Sequence, residues 1–178
     1  MLDAAIDGTR VGVRNRAILA VLYRTGMRCK ELCTLQLSDL TVLSEGNMIV
    51  RIRLPKGYQG GAMPREVGID KRTSAMVNEW LAIRGTGDGP LFITRNGTCV
   101  SPAYLKQMID LAARRAGVDR RVHPHAFRHT FAKELYDEGV KLMEIMLALG
   151  HVSLTTTQKY LQHIGATEVV NATKNRSW

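Results

Sequence analysis

Between His123 and Tyr160 the chain reads HPHAFRHTFAKELYDEGVKLMEIMLALGHVSLTTTQKY, and this stretch leaves the fold few choices. Phe127, Phe131 and Leu135 recur every four residues, the spacing of one buried helix face. His125 and Arg128 lie three apart in the same stretch, so both can project from one side of that helix. A second apolar helix, LMEIMLALG, carries its own stop in Gly150. His151 follows at once, and Tyr160 lies nine residues further on. Burying the two apolar faces gathers His125, Arg128 and His151 beside a phenol. Cationic groups converging on one point next to a nucleophilic oxygen suit attack on a phosphodiester.

The charge balance fits a polyanionic partner. Of the 178 residues, 25 are Lys or Arg and 16 are Asp or Glu, a formal net charge of +9. Nucleic acid is the leading candidate for such an excess. Aromatic residues make up only 6%, too few for single-strand binding by base stacking, so duplex DNA held through its phosphates fits better. The length suits one domain with a proper core, and 45% apolar residues is ordinary for a globular chain. No run is long enough to span a bilayer and no signal peptide is evident, which makes the cytoplasm the expected compartment and gives a membrane no part. Cys29, Cys33 and Cys99 are an odd count without an export signal, so reduced thiols are expected.

In chain order, 1–13 reads as a polar lead-in and 14–25 as a helix with Ala17, Ile18, Val21 and Leu22 inward. Gly26 breaks it, and a second helix starts near Arg28 and runs through CKELCTLQL. Arg28 then lies at a helix N-terminal end, favourable ground for an anion, with Glu31 one turn away to hold its guanidinium. NMIVRIRL and REVGI read as two strands of a hairpin joined by PKGYQGGAMP. Lys56 stands at the entrance to that glycine-rich tip, where a lysine suits a proton donor that need not be fixed beforehand.

The spacing predicts a helix over 71–84, a loop at GTGDGP, a short strand at LFIT and a turn at Asn96-Gly97. GTGDGP is no nucleotide fingerprint, since no strand leads into it and no helix follows. Ser101-Pro102 opens a further helix that Gly117 closes. Arg114, Arg115, Arg120 and Arg121 cluster just before the His123 stretch as a candidate phosphate-contacting edge, although a solvated face is equally consistent. His125 and His129 share the four-residue spacing of some zinc sites, but no Glu lies between them as in HExxH and no third ligand is evident. No metal or other cofactor is expected. His123 and His129 read as packing or supporting residues, and Cys29 and Cys33 as core.

TGMRCKEL, HAFRHTFA and LGHVSLTTTQKY, in that order and at those distances, resemble three boxes of the tyrosine recombinases, the phage integrase family. The resemblance covers about 10–163. It implies an α+β fold, mainly helical, with a small antiparallel sheet or hairpin at one edge. It further implies that 1–163 form the family's catalytic domain, that the family's N-terminal DNA-binding domain is absent, and that 164–178 form a tail able to dock on a neighbouring protomer. By the same resemblance Arg28 and Arg128 would clamp the scissile phosphate and His125 would lie near the attacking hydroxyl. His151 would contact a non-bridging oxygen, Lys56 would be the hairpin lysine, Glu31 would support the first box, and Tyr160 would be the nucleophile. The YQGGAMP tip is longer and richer in glycine than the family's usual short basic tip. The implied activity is cleavage and rejoining of duplex DNA through a 3′-phosphotyrosyl link without metal or ATP, by a tetramer on DNA that is monomeric in isolation. A DNA-binding regulator that has lost its chemistry and a type IB topoisomerase are the alternatives.

Overall fold

The computed structural model describes residues 1–2, 8–53 and 62–152. Helix α1 (Arg10–Thr25) is its central pillar. Thr9 caps it by accepting the Gly12 N–H, and left-handed Gly26 ends it by donating to the Leu22 carbonyl. Ala17, Ile18, Val21 and Leu22 are buried, and so are Leu19 and Ala20, because other helices cover α1 on more than one side. The helix starts four residues before the expected Arg14, so 10–13 belong to it rather than to a lead-in. Its cap lies in a polar stretch without apolar periodicity, which hid the start.

Helix α2 (Cys29–Thr34) is short and ends where Leu35 turns extended. It does not continue through CTLQL, since Leu35 instead pairs its backbone carbonyl with the Leu91 N–H. Three antiparallel strands follow in the order β1 (Leu40–Val42), β2 (Met48–Ile52) and β3 (Arg65–Ile69). The register sets Val50 opposite both Leu40 and Val67, and Ile52 opposite Arg65. Met48, Val50 and Ile52 face the core with Val67 and Ile69, and Arg65 shares their inward parity. The inward set of β2 thus starts at Met48, and Ile49 is only half-buried. The expected hairpin gains a third strand, and LFIT forms only a short bridge from Ile93 to Cys99.

Helix α3 (Lys71–Arg84) opens on Asp70, which accepts the Thr73 N–H, and buries Met76, Val77 and Trp80. Helix α4 (Pro102–Arg115) opens on Ser101 with Pro102 in its first turn. Helices α5 (Pro124–Asp137) and α6 (Leu142–Leu149) complete the described fold. Arg14 of α1 donates to the Tyr104 hydroxyl of α4 and to the Ile93 carbonyl, tying α1 to both. Two glycines seat the closing helices. Gly26 has φ of +56°, and a Cβ there would enter the Phe131 ring of α5. Gly26→Ala is therefore expected to cost about 2–4 kcal/mol, combining a left-handed backbone with overpacking, as checked by urea unfolding.

Candidate active site

The site is built where three chain reversals meet. The turn after Gly26 makes Arg28 the N-cap residue of α2, with extended backbone. The Glu31 carboxylate reaches back to it, accepting the Arg28 backbone N–H at 2.7 Å and its Nη1 at 3.1 Å. Glu31 is buried while the Arg28 side chain keeps about a quarter of its surface exposed. Glu31 thus holds the arginine at its backbone and at one terminal nitrogen, while the side chain as a whole stays partly exposed.

Arg128 comes from the buried face of α5 and is 1% exposed. Its Nη1 donates to the Gly26 carbonyl at 2.8 Å and its Nη2 to the Leu149 carbonyl at 2.5 Å. Those carbonyls close α1 and α6, so the cation lies at the negative ends of two helix dipoles. The same two bonds fix the turns that lead to Arg28 and to His151. Gly150 at φ +65° then lets the backbone pass the β-sheet, where the Met63 N–H donates to its carbonyl and Ala62 bridges to His151.

His151 is 4% exposed. Burial, with the charges of Arg128, Arg28 and Arg65, pushes its imidazole down to about 4. His125, at the start of α5, is lowered by burial, by the neighbouring His129 and by Arg128, His123 and Arg28. Arg28 and Arg128 therefore act on both imidazoles, and the four groups share one neighbourhood. Both histidines are neutral at pH 7 in the unliganded chain, able to accept a proton or to donate one hydrogen bond. A phosphodiester entering this field offsets the guanidinium charge and raises both imidazoles.

His151 also sets a pH dependence. Its folded value lies below the ordinary 6.5, so the unfolded chain binds more protons between these values, and stability is lost as the pH is lowered through that range. From pH 7.5 to pH 4.5 the loss due to this group is about 2–3 kcal/mol. Glu31 and Asp70 are both held below their ordinary carboxyl values, so their losses fall lower in the acid range. Urea unfolding at the two pH values should show the drop in the wild type and a smaller one in His151→Gln.

Sequence reasoning missed Arg65. It heads β3 on the core side and donates to both Glu31 oxygens, Nη1 at 3.0 Å and Nη2 at 2.9 Å. Burial works to raise the Glu31 carboxyl, but the bonds and charge of Arg65, with those of Arg28, hold it below the usual range. The available signal was an arginine at the inward parity of REVGI. Arg114, Arg115, Arg120 and Arg121 are exposed, Arg114 paired with Asp110 at 2.8 Å. Arg120 and Arg121 line two adjoining concavities of about 710 and 670 Å³, neither of which is lined by His125, Arg128 or His151. Cys33 is buried and pushed up to about 12, and burial raises Cys29, so neither thiol is an activated nucleophile. Lys56 and Tyr160 lie outside the described residues.

Among the described residues no helix is long and apolar enough to cross a membrane. The chain is 36% identical over 156 residues to tyrosine recombinase XerC of Thermodesulfovibrio yellowstonii, covering 83% of this chain and 49% of that protein. It is 31% identical over 173 residues to tyrosine recombinase XerC of Pseudomonas putida, covering 93% of this chain and 55% of that protein. The chain thus spans about half the length of these relatives. Its fold matches XerH site-specific recombinase, solved in a post-cleavage complex with palindromic difH substrate, with a TM-score of 0.81 at 28% identity over 98% of this chain and 50% of that one. It also matches XerA recombinase, with a TM-score of 0.77 at 27% identity over 99% of this chain and 64% of that one. The family model described as Phage integrase family matches residues 1–165, and with the mainly helical fold and small antiparallel sheet of these relatives, the chain belongs to the phage integrase family.

Proposed function

We propose that the chain is the catalytic part of a site-specific recombinase that cuts and rejoins duplex DNA through Tyr160. The observation that carries this reading is that Arg128 bonds both the Gly26 carbonyl, two residues before Arg28, and the Leu149 carbonyl, two residues before His151, which brings the two arginines and the histidine to one place. Two guanidiniums offer forked donors matched to phosphate oxygens, and they stabilise charge growing on those oxygens as the phosphorus becomes five-coordinate. The Tyr160 phenol, with an ordinary pKa of ~10, needs a base or nearby cations to attack at neutral pH. Neutral His125 takes the phenolic proton, His151 donates to a non-bridging oxygen, and Lys56 protonates the departing 5′-oxygen. The products are a 3′-phosphotyrosyl ester and a free 5′-hydroxyl. A second 5′-hydroxyl attacks that ester and reseals the strand without ATP.

Exposed Arg114, Arg115, Arg120 and Arg121 lie along the basic edge of α4 and the loop after it, where they contact backbone phosphates. The XerH relative solved on difH substrate supports a duplex as the partner. Assembly as a tetramer on DNA, with 164–178 docked on a neighbouring protomer, follows from the family likeness. Action in the cytoplasm belongs to the same reading. Incubation with a nicked suicide duplex in the presence of a metal chelator should trap a covalent protein–DNA adduct on the 3′ side of the break. A duplex bound yet never linked would reject the proposal.

A further inference from the structure

Four donors converge on the Glu31 carboxylate. Its Oε1 accepts from Arg28 Nη1 and Arg65 Nη1, and its Oε2 from the Arg28 backbone and Arg65 Nη2. The planar fork of Arg65 fixes the plane of the carboxylate, and that plane decides where Arg28 can lie. The third Arg65 nitrogen, Nε, donates to the Ala148 carbonyl of α6 at 2.7 Å. Beside it, a Cβ on Gly150 would lie 2.8 Å from Arg65 Nη1 and 2.9 Å from the Met63 carbonyl oxygen, so α6 and β3 meet in close packing. One buried side chain thus joins α2, β3 and the end of α6 from which His151 emerges.

We propose that Arg65 is a positioning residue for strand cleavage: it holds the Glu31 carboxylate against the Arg28 guanidinium and, through the Ala148 carbonyl, locks β3 to the end of α6. This rests on the recombinase reading above. All three side-chain nitrogens of Arg65 donate to protein, to both Glu31 oxygens and to the Ala148 carbonyl, so its influence on the phosphate runs through Arg28 and His151. A buried ion pair that served the fold alone could be exchanged for two apolar side chains without loss. A pair that sets the Arg28 tip could not.

The test compares wild type, Arg65→Met, Glu31→Met, the double Glu31→Met/Arg65→Met and Arg65→Lys. Thermal unfolding, duplex binding in a Tyr160→Phe background and single-turnover cleavage of a nicked suicide duplex are measured for each. Glu31→Met leaves the buried Arg65 charge unpaired and Arg65→Met leaves Glu31 with Arg28 alone, each lowering the unfolding temperature and slowing cleavage about 100-fold. The double regains the unfolding temperature but cleaves no faster than the slower single, with duplex binding within about threefold of wild type. Cleavage that returns with stability would reduce Arg65 to a role in the fold and overturn the proposal. Arg65→Lys keeps the charge but cannot span both Glu31 oxygens and the Ala148 carbonyl. Its cleavage is expected to fall about 10-fold at unchanged binding, and wild-type cleavage by this variant would also overturn the proposal, even were the double variant not to fold. A wild-type chain that binds the duplex without forming an adduct would reject the recombinase reading itself, and Arg65 positioning with it.

Discussion

Tyr160→Phe is expected to form no covalent link to a nicked duplex while binding it within about threefold of wild type. The substitution removes one oxygen and keeps the ring, so whatever packing the side chain makes is retained. Three other thiols and phenols among the described residues are poor substitutes for it. Cys33 is buried with its thiol pushed up to about 12, and Cys29 is raised by burial. Tyr23, another phenol close to α5, bonds Glu134 and is raised by that bond, by burial and by the Glu134 charge. These groups are held protonated, as an attacking group must not be. Gel separation of the adduct, with a filter-binding isotherm on the same preparations, checks both halves. An adduct at wild-type yield in the variant would move the nucleophile elsewhere.

Arg128→Lys should be the second large effect, and it acts on rate and stability together. The native guanidinium holds two carbonyls that close two different helices, Gly26 and Leu149, from a position 1% exposed. A lysine keeps the charge but presents a single ammonium on a stem of different shape. It can satisfy one carbonyl well and leaves the other underbonded in a buried place, a loss of about 1–3 kcal/mol. The turns toward Arg28 and His151 then lose their common pin. On the proposed reading the guanidinium also donates to the phosphate, and removing one such preorganised donor slows catalysis by about 10²–10³. Urea unfolding and single-turnover cleavage on the same variant separate the two effects. A lysine variant as stable and as fast as wild type would show that Arg128 is a simple buried charge.

How much of this was legible beforehand depended on the distance over which each feature is determined. His125 and Arg128 share a helix side because three residues on a helix return to nearly the same face, a rule written within one turn. Gly26 and Gly150 are each left-handed at a helix end, as their positions after apolar stripes suggested. Strand β1 has three residues and no alternation long enough to see, so its existence depends on pairing with β2. Arg65 was hidden for a related reason. Its acceptors lie 34 residues away in α2 and 83 residues away in α6, and only the folded chain brings them together. The LFIT segment shows the opposite failure, where strand-forming residues found a bridge partner but no ladder. The site's members were written locally; the network that aims them was written in long-range contacts.

That network leads to one claim, that a single phosphate is received by guanidiniums from opposite ends of the chain. The most direct test is a crystal structure of the Tyr160→Phe chain bound to an uncleaved duplex. The account predicts Arg28 and Arg128 both within hydrogen-bond distance of the same scissile phosphate, with His151 on one of its non-bridging oxygens. Arg28 and Arg128 found on different phosphates, or one of them turned away from the DNA, would contradict it.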